Sequence, residues 1–243
     1  MLAAWGILAD GKKALLHLAP GTKEDTASCK EFLQDMRRRG LPDPLLVASD
    51  GAPGVIRAIE ECLPRSLRQR CLAHKMRNLQ SKMPEDVWPE FKARAAACYQ
   101  AASPALARLL RDDIATTYEN QLPSAVACLD DDFEACIAHL RFPLGHRRAI
   151  RTTNRLERLF GEARRRTKVI PHAFGERAVL KLMYAALIRA AERWRGIKIT
   201  EFEQRQLKAI GEEIDKDFTA RNAPITNTTV TATPTRLSSN DRT

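Results

Sequence analysis

The run Leu45-Leu46-Val47-Ala48-Ser49-Asp50 constrains the fold of this chain more than any other stretch. It follows Pro44, is apolar without alternation, and ends in a carboxylate and Gly51. A strand that lacks polar alternation is covered on both faces, the usual condition of a parallel strand between two helix layers. The run therefore predicts an α/β architecture with Asp50 at the C-terminal end of a buried strand, the edge at which open α/β sheets bind ligands and metals. Asp-Gly is also a common strand-ending turn, and that reading needs no ligand.

The flanking segments supply partners for this strand. Within residues 2 to 19, AAWGILA and KALLHLA read as two strands joined in a hairpin through Asp10-Gly11, a dipeptide that tolerates the positive φ angles of tight turns. From Thr26 to Arg39 the apolar residues Cys29, Phe32, Leu33 and Met36 recur at one helical face, and Gly40 follows as a stop. A helix is expected from about Pro53 to Leu63, and a short strand from Arg68 to Leu72. Between His74 and about Arg141 the texture changes to alanine-rich helical segments divided by Pro84, Pro104 and Pro123, which predicts an all-helical insertion. Helical periodicity resumes after Thr153, again between about Gly175 and Arg195, and between Thr200 and Phe218. The last residues are rich in Thr, Asn, Ser and Pro and hold few large apolar groups, so a disordered tail is expected over residues 219–243.

Composition removes several classes of function. The chain has 243 residues, 44% of them hydrophobic, ample for a packed interior. It contains no apolar run long enough to span a bilayer, and MLAAWGILADGKK lacks the basic start and cleavage site of a secretory signal, so a cytoplasmic location is expected. Cys29, Cys62, Cys71, Cys98, Cys128 and Cys136 are scattered without a CxxC pair, which argues against a disulfide framework and a complete structural zinc site.

The net charge of +10 is unevenly placed. Residues 141–195 hold fifteen Lys and Arg against four Glu, a net of +11, so the remainder sums to −1. A second, acid-free stretch from Cys62 to Pro84 adds Arg65, Arg68, Arg70, Lys75, Arg77 and Lys82. Such clusters suit a polyphosphate partner, because each neutralised phosphate releases counterions. A solvated basic helix face would give the same composition.

Glu157 stands out within RTTNRLERLFGEARRRTK. Leu156, Leu159, Phe160 and Ala163 form an apolar stripe, and Glu157, Gly161, Arg164, Arg165 and Lys168 fall on the adjacent face. A carboxylate beside a basic row suits phosphoryl chemistry on a nucleic acid, since Mg²⁺ takes carboxylate and phosphate oxygens. Equally, Asn154 as N-cap and Glu157 at the third helical position would make a capping box with no further role. Cys71 and His74 form half of a zinc-ligand spacing with no second half; taken alone, they read as a buried Cys and an ordinary His. His17, His139, His146 and His172 show no mutual spacing for ligands or proton relay, and Trp88 and Trp194 read as core.

Taken together, VASDGAPGVIRAI, then QRCLAHKMRN, then a helical stretch, then RTTNRLERLFGEARRRTKVI resemble the transposase core of the Mutator-like bacterial insertion-sequence family, over roughly residues 1 to 195. The resemblance implies a ribonuclease-H-like fold with a catalytic Asp-Asp-Glu triad and two Mg²⁺ (or Mn²⁺) ions that drive DNA cleavage and strand transfer. Asp50 matches the second acid, Glu157 the third, and Cys71 with His74 the family's Cys-x-x-His signature. Arg151, Asn154, Arg158, Arg164, Arg165, Arg166 and Lys168 then become expected DNA contacts. Residues 1–74 are expected to form a partial ribonuclease-H-like core (strands 2 to 5), 75–141 the α-helical insertion, and 142–218 the glutamate helix and C-terminal helices. In the family the first Asp lies on a strand upstream of the hairpin. The expectation is therefore an N-terminally truncated copy with an incomplete two-ion site, inactive alone, or else a non-catalytic DNA-binding or interaction remnant. Expected partners are DNA, as transposon ends and target, and a second copy in a homodimer, in the bacterial cytoplasm at the nucleoid; no membrane or small-molecule substrate is expected.

Overall fold

The structure, a computed structural model, describes residues 2–19, 25–154, 157, 160, 161, 165 and 176–223. It opens with β1 (Leu2–Ile7) and β2 (Lys13–Ala19), an antiparallel hairpin with a bulge between Ala4 and Trp5. The connection is longer than a two-residue turn. Leu8 N–H donates to Lys12 O and Gly11 N–H to Leu8 O, both at 2.8 Å, with Gly11 at φ +83°. Asp10 closes the loop from the side, its carboxylate accepting from Lys12 N–H at 2.9 Å.

Helix α1 (Thr26–Arg38) begins where Asp25 accepts from Ser28 N–H at 2.8 Å, and it buries Cys29, Phe32, Leu33 and Met36, the face read from periodicity. β3 (Leu46–Ser49), α2 (Pro53–Cys62) and β4 (Leu67–Arg70) follow. β3 and β4 pair in parallel, Leu46 opposite Leu67 and Ser49 opposite Arg70. β4 stops two residues short of the expected end because Cys71 becomes the N-cap of α3 (Leu72–Gln80).

Helices cover both faces of these strands. On one side, α1 and α2 bury Cys29, Phe32, Leu33, Ile59 and Leu63 against Leu2, Ala4 and Leu16 of the hairpin and Val47 of β3. On the other, α9 (Glu176–Ala191) lays Leu187 against Leu15 and Leu18, and α10 (Glu201–Arg221) lays Ile210 and Ile214 against Leu46 and Leu67. The chain is thus a mixed α/β protein, mostly helical, with small sheets. Hairpin and parallel pair share the α1–α2 layer, yet among the described residues they form two separate two-stranded sheets.

Between α3 and α10 lie α4 (Trp88–Tyr99), α5 (Pro104–Tyr118), α6 (Pro123–Asp130), α7 (Phe133–Ile137), a 3₁₀ turn (Ala138–Arg141) and α8 (Leu144–Ile150). Pro104 and Pro123 occupy first turns, where the missing N–H costs nothing. These helices have their own core of Phe91, Cys98, Tyr99, Ile114, Leu129 and Ile137. α10 starts at a reciprocal capping box of Thr200 and Glu203, buries Ile210 and Ile214, and runs three residues into the expected tail to Arg221, where Asn222 closes the last turn by donating from its N–H and side-chain amide to Phe218 O. Residues 224–243, the rest of that expected tail, and His172 lie outside the described residues.

A polar joint ties this helical region to β4. Gln69, fully buried, accepts from His139 N–H at 2.8 Å and lies 3.1 Å from His139 Nδ1, while its amide donates to Arg70 O and Cys136 O at 2.7 and 3.1 Å. His139 Nε2 lies 3.1 Å from Tyr99 O. Arg68 grips Asp132 through two hydrogen bonds, and the buried Lys75 donates to Asp131 O.

This joint corrects the reading of residues 62–84 as an open basic region. Arg68, Arg70 and Lys75 face inward, Arg65 pairs with Asp215 at 3.5 Å, and Arg77 pairs with Glu157. Their acid partners come from distant sequence, so local charge counting overstated the free positive charge.

All six cysteines are free, and burial pushes the Cys98 and Cys136 thiols up to about 12. Trp194 meets Trp5 edge to face at 5.8 Å, and Trp88 packs against the helical core, as expected of core residues. Among the described residues no helix is long and apolar enough to cross a membrane.

Candidate active site

Asp50 follows directly on β3, and Cys71 follows directly on β4, so the parallel register sets the two side by side at the C-terminal edge of the sheet. Cys71 N–H extends the ladder by donating to Ser49 O at 2.7 Å. The chain then turns sharply. Asp50 Oδ1 accepts from Ala52 N–H at 3.1 Å and Gly51 sits at φ +87°. A Cβ on Gly51 would lie 2.1 Å from the Arg70 guanidinium, so both backbone angle and space require glycine. Arg70, 8% exposed, donates from Nη1 to Gly51 O at 3.2 Å and lies 3.7 Å from Asp132. Counting charge along the sequence placed Arg70 in a phosphate-binding stretch; in the fold it braces the Asp50 turn from beneath.

The segment with Glu157 meets this edge through α3. Leu72 N–H donates to Arg151 O at 3.0 Å, and both the amide and hydroxyl of Thr153 donate to Cys71 Sγ at 3.2 Å. One turn further along α3, His74 Nε2 lies 3.3 Å from Glu157 Oε1, and Arg77 Nη2 donates to Glu157 Oε2 at 3.0 Å. Direct contacts thus run from the end of β3 through Cys71 and His74 to Glu157, more than a hundred residues beyond Asp50 in the sequence.

The capping-box reading of Asn154 and Glu157 does not hold. Asn154 is already helical, its Oδ1 is buried with no hydrogen-bond partner among the described residues, and the Glu157 carboxylate faces α3 instead of its own backbone. Of the expected DNA contacts, Arg151 is half-buried and Arg165 exposed. Arg158, Arg164, Arg166 and Lys168 lie outside the described residues, so the basic row beside Glu157 is represented by Arg165 alone. Exposed cations elsewhere in the basic segment are Arg148, Lys181, Arg189, Arg193 and Arg195. Arg141 is instead paired with Glu213 and Asp217, and Arg147 donates to four backbone carbonyls, of Phe142, Ala101, Ala102 and Leu140.

Carboxylate oxygens are the donor type that suits a hard dication, and both Glu157 oxygens here face His74 and Arg77. Asp50 and Glu157 offer carboxylate oxygens, and Mg²⁺ is commonly held by one or two carboxylates plus waters and phosphate oxygens. Cys71 is wholly buried and its sulfur accepts two hydrogen bonds from Thr153. Among the described residues no three His, Cys, Asp or Glu side chains converge into a ready-made metal cluster. Two surface grooves, one between β2, α1 and α9 and one between α8 and α10, include neither carboxylate.

Sequence reasoning missed Thr153, Arg77 and the bracing role of Arg70. Arg77 was within reach, because it stands three residues after His74 on one helix face. Thr153 and Arg70 act through contacts between remote segments and left no local signal.

The chain is a mixed α/β protein, and Asp50 stands at the C-terminal edge of its parallel strands, where open α/β sheets bind ligands. Comparison with known proteins narrows this. The profile of the Mutator family of transposases matches residues 1–196, and the chain belongs to that family. It is 35% identical over 202 residues to the transposase for insertion sequence element IST2 of Acidithiobacillus ferrooxidans, covering 83% of this chain and 68% of that protein. It is 32% identical over 197 residues to the transposase for IS6120 of Mycolicibacterium smegmatis, covering 81% of this chain and 61% of the relative. The transposase for IS1081 of Mycobacterium tuberculosis is 31% identical over 194 residues, 79% of this chain and 46% of its own length. The chain therefore spans about half to two thirds of the curated relatives it matches.

Proposed function

We propose that the chain provides the second and third carboxylates, and part of the DNA-holding surface, of a metal-dependent DNA transposase built on a ribonuclease-H-like core. In this reading Asp50 and Glu157 share Mg²⁺ or Mn²⁺, which when bound would polarise phosphate and activate an attacking oxygen for in-line displacement. The chain's own residues do the placing. Gly51 and Arg70 hold the Asp50 turn, α3 holds Glu157, and exposed cations from Arg148 to Arg195 grip DNA phosphates. The protein would work on the cytoplasmic side, at the nucleoid, on transposon ends and target DNA. Residues 75–141 would be the helical insertion between the second and third acids, and β1 to β4 would be strands 2 to 5 of the core.

The observation that carries this reading is the run of direct contacts from Ser49 through Cys71 and His74 to Glu157. A second reading, a non-catalytic DNA-binding or interaction remnant, is favoured by one feature: Arg77 and His74 already engage both Glu157 oxygens.

Both readings require DNA binding, and fluorescence anisotropy with duplex DNA over a salt series tests it. The 243-residue chain is expected to bind with log K falling by roughly 0.9 per phosphate contacted for each tenfold rise in salt. Charge reversal at Arg148 and Arg189 together should flatten that slope by about two phosphate equivalents. Binding that is indifferent to salt would sink the DNA-holding assignment. With Mg²⁺ added, any DNA cleavage is expected to be lost in Asp50→Ala and in Glu157→Gln; cleavage that survives either change would sink the assignment of that carboxylate.

A further inference from the structure

We propose that Cys71 and His74 are a pair of positioning residues that clamp the segment carrying Glu157 to the C-terminal edge of the parallel strands. The inference rests on the reading of Glu157 as a metal-binding carboxylate and assigns what holds it in place.

Cys71 joins three segments. Its N–H continues the ladder to Ser49, its backbone is the N-cap of α3, and its side chain makes no capping bond to that helix. The sulfur is therefore left to another segment, and Thr153 supplies two donors at 3.2 Å, its amide and its hydroxyl. Among the described residues, His74 has one polar contact, Nε2 lying 3.3 Å from Glu157 Oε1, and its buried Nδ1 has no hydrogen-bond partner. The imidazole thus faces the carboxylate.

The spacings match. Cys71, the N-cap of α3, stands three residues before His74 in its first turn, and Thr153 and Glu157 are four apart, linked by Glu157 N–H to Thr153 O at 3.4 Å. Each pair spans one helical turn, so both residues of a pair project from the same side. Two contacts one turn apart fix both the height and the rotation of the facing segment, where a single contact would leave a pivot. The C-x-x-H spacing therefore needs no zinc to account for it.

The test uses the full 243-residue chain and two readouts: hydrogen exchange at the Thr153 amide, and Mn²⁺ affinity by isothermal titration. Cys71→Ala is expected to speed exchange at Thr153 by about tenfold or more and to weaken Mn²⁺ by roughly 10- to 100-fold, the usual effect of removing a group that orients a metal ligand. Cys71→Ser, which keeps an acceptor, should stay near the parent in both. His74→Leu should weaken Mn²⁺ over the same range, and His74→Gln, which returns a donor near Nε2, should recover most of it. If Cys71→Ala fails to fold, Thr153→Ala breaks the same contact from the other side and should weaken Mn²⁺ likewise. Mn²⁺ affinity lost in Glu157→Gln but unchanged or tighter in His74→Leu would overturn the clamp and leave the carboxylate reading standing. Affinity unchanged in Glu157→Gln would overturn the carboxylate reading itself.

Discussion

Replacing Asp50 with Asn, or Glu157 with Gln, is expected to weaken Mn²⁺ binding by more than about 100-fold, beyond the 10- to 100-fold cost of losing a group that merely orients a ligand. The amide keeps the shape of each side chain and removes the charge. Asn at position 50 can still accept from Ala52 N–H through its Oδ1, so the turn survives and the change isolates the charge. Glu134→Gln is the control: it removes a comparable carboxylate, which pairs with Arg108 on the helical region. If Asp50→Asn binds Mn²⁺ as the parent chain does, Asp50 is only a strand-ending turn residue.

Acidification should cost the fold roughly 3 kcal/mol between pH 6.5 and 4, through one buried histidine. Burial, followed by the nearby Arg151 and Arg147, pulls His139 down from 6.5 to about 4, against the opposing pull of its bond to Tyr99 O. A histidine held neutral in the folded state leaves stability complete above the unfolded value. As pH falls through 6.5 the unfolded chain takes up a proton that the folded chain refuses, and the loss ends near the folded value. His17 is depressed in the same direction, by burial and Arg39, while Glu203 is depressed by its Thr200 bonds, so its contribution is lost only as pH falls through and below its ordinary 4.5. Urea unfolding of the parent and of His139→Gln across this window separates them. The variant should be less stable at pH 7 by about 1–3 kcal/mol, the cost of disturbing a buried hydrogen-bond network, and should show a clearly flatter pH dependence. Identical slopes would show that His139 is not the group that titrates.

The α1 face, the apolar β3 run and the proline-led helices were legible in the sequence because each is a local periodicity or a steric rule. Gly51 was legible as a turn residue, although its close contact with Arg70 was not. His139 shows where local reading ends. Its sequence neighbours carry no ligand spacing, and its place in the joint depends on Gln69, seventy residues earlier, and on a carbonyl in α4. Residues 62–84 show the same limit for charge, since Arg68, Arg70 and Lys75 find Asp131 and Asp132 only after folding. His74, which reads as an ordinary histidine when taken alone, gains its contact with Glu157 only when α3 meets the segment after Thr153.

Paramagnetic broadening by Mn²⁺ in the ¹⁵N-labelled chain interrogates the pairing of the two acids without requiring catalysis. At substoichiometric Mn²⁺, the amides of Gly51 and Glu157 should broaden together and at the same concentration, and both effects should vanish in Asp50→Asn. Broadening at one amide while the other stays sharp would mean that the two carboxylates do not converge on one ion, and the proposed active site would not exist.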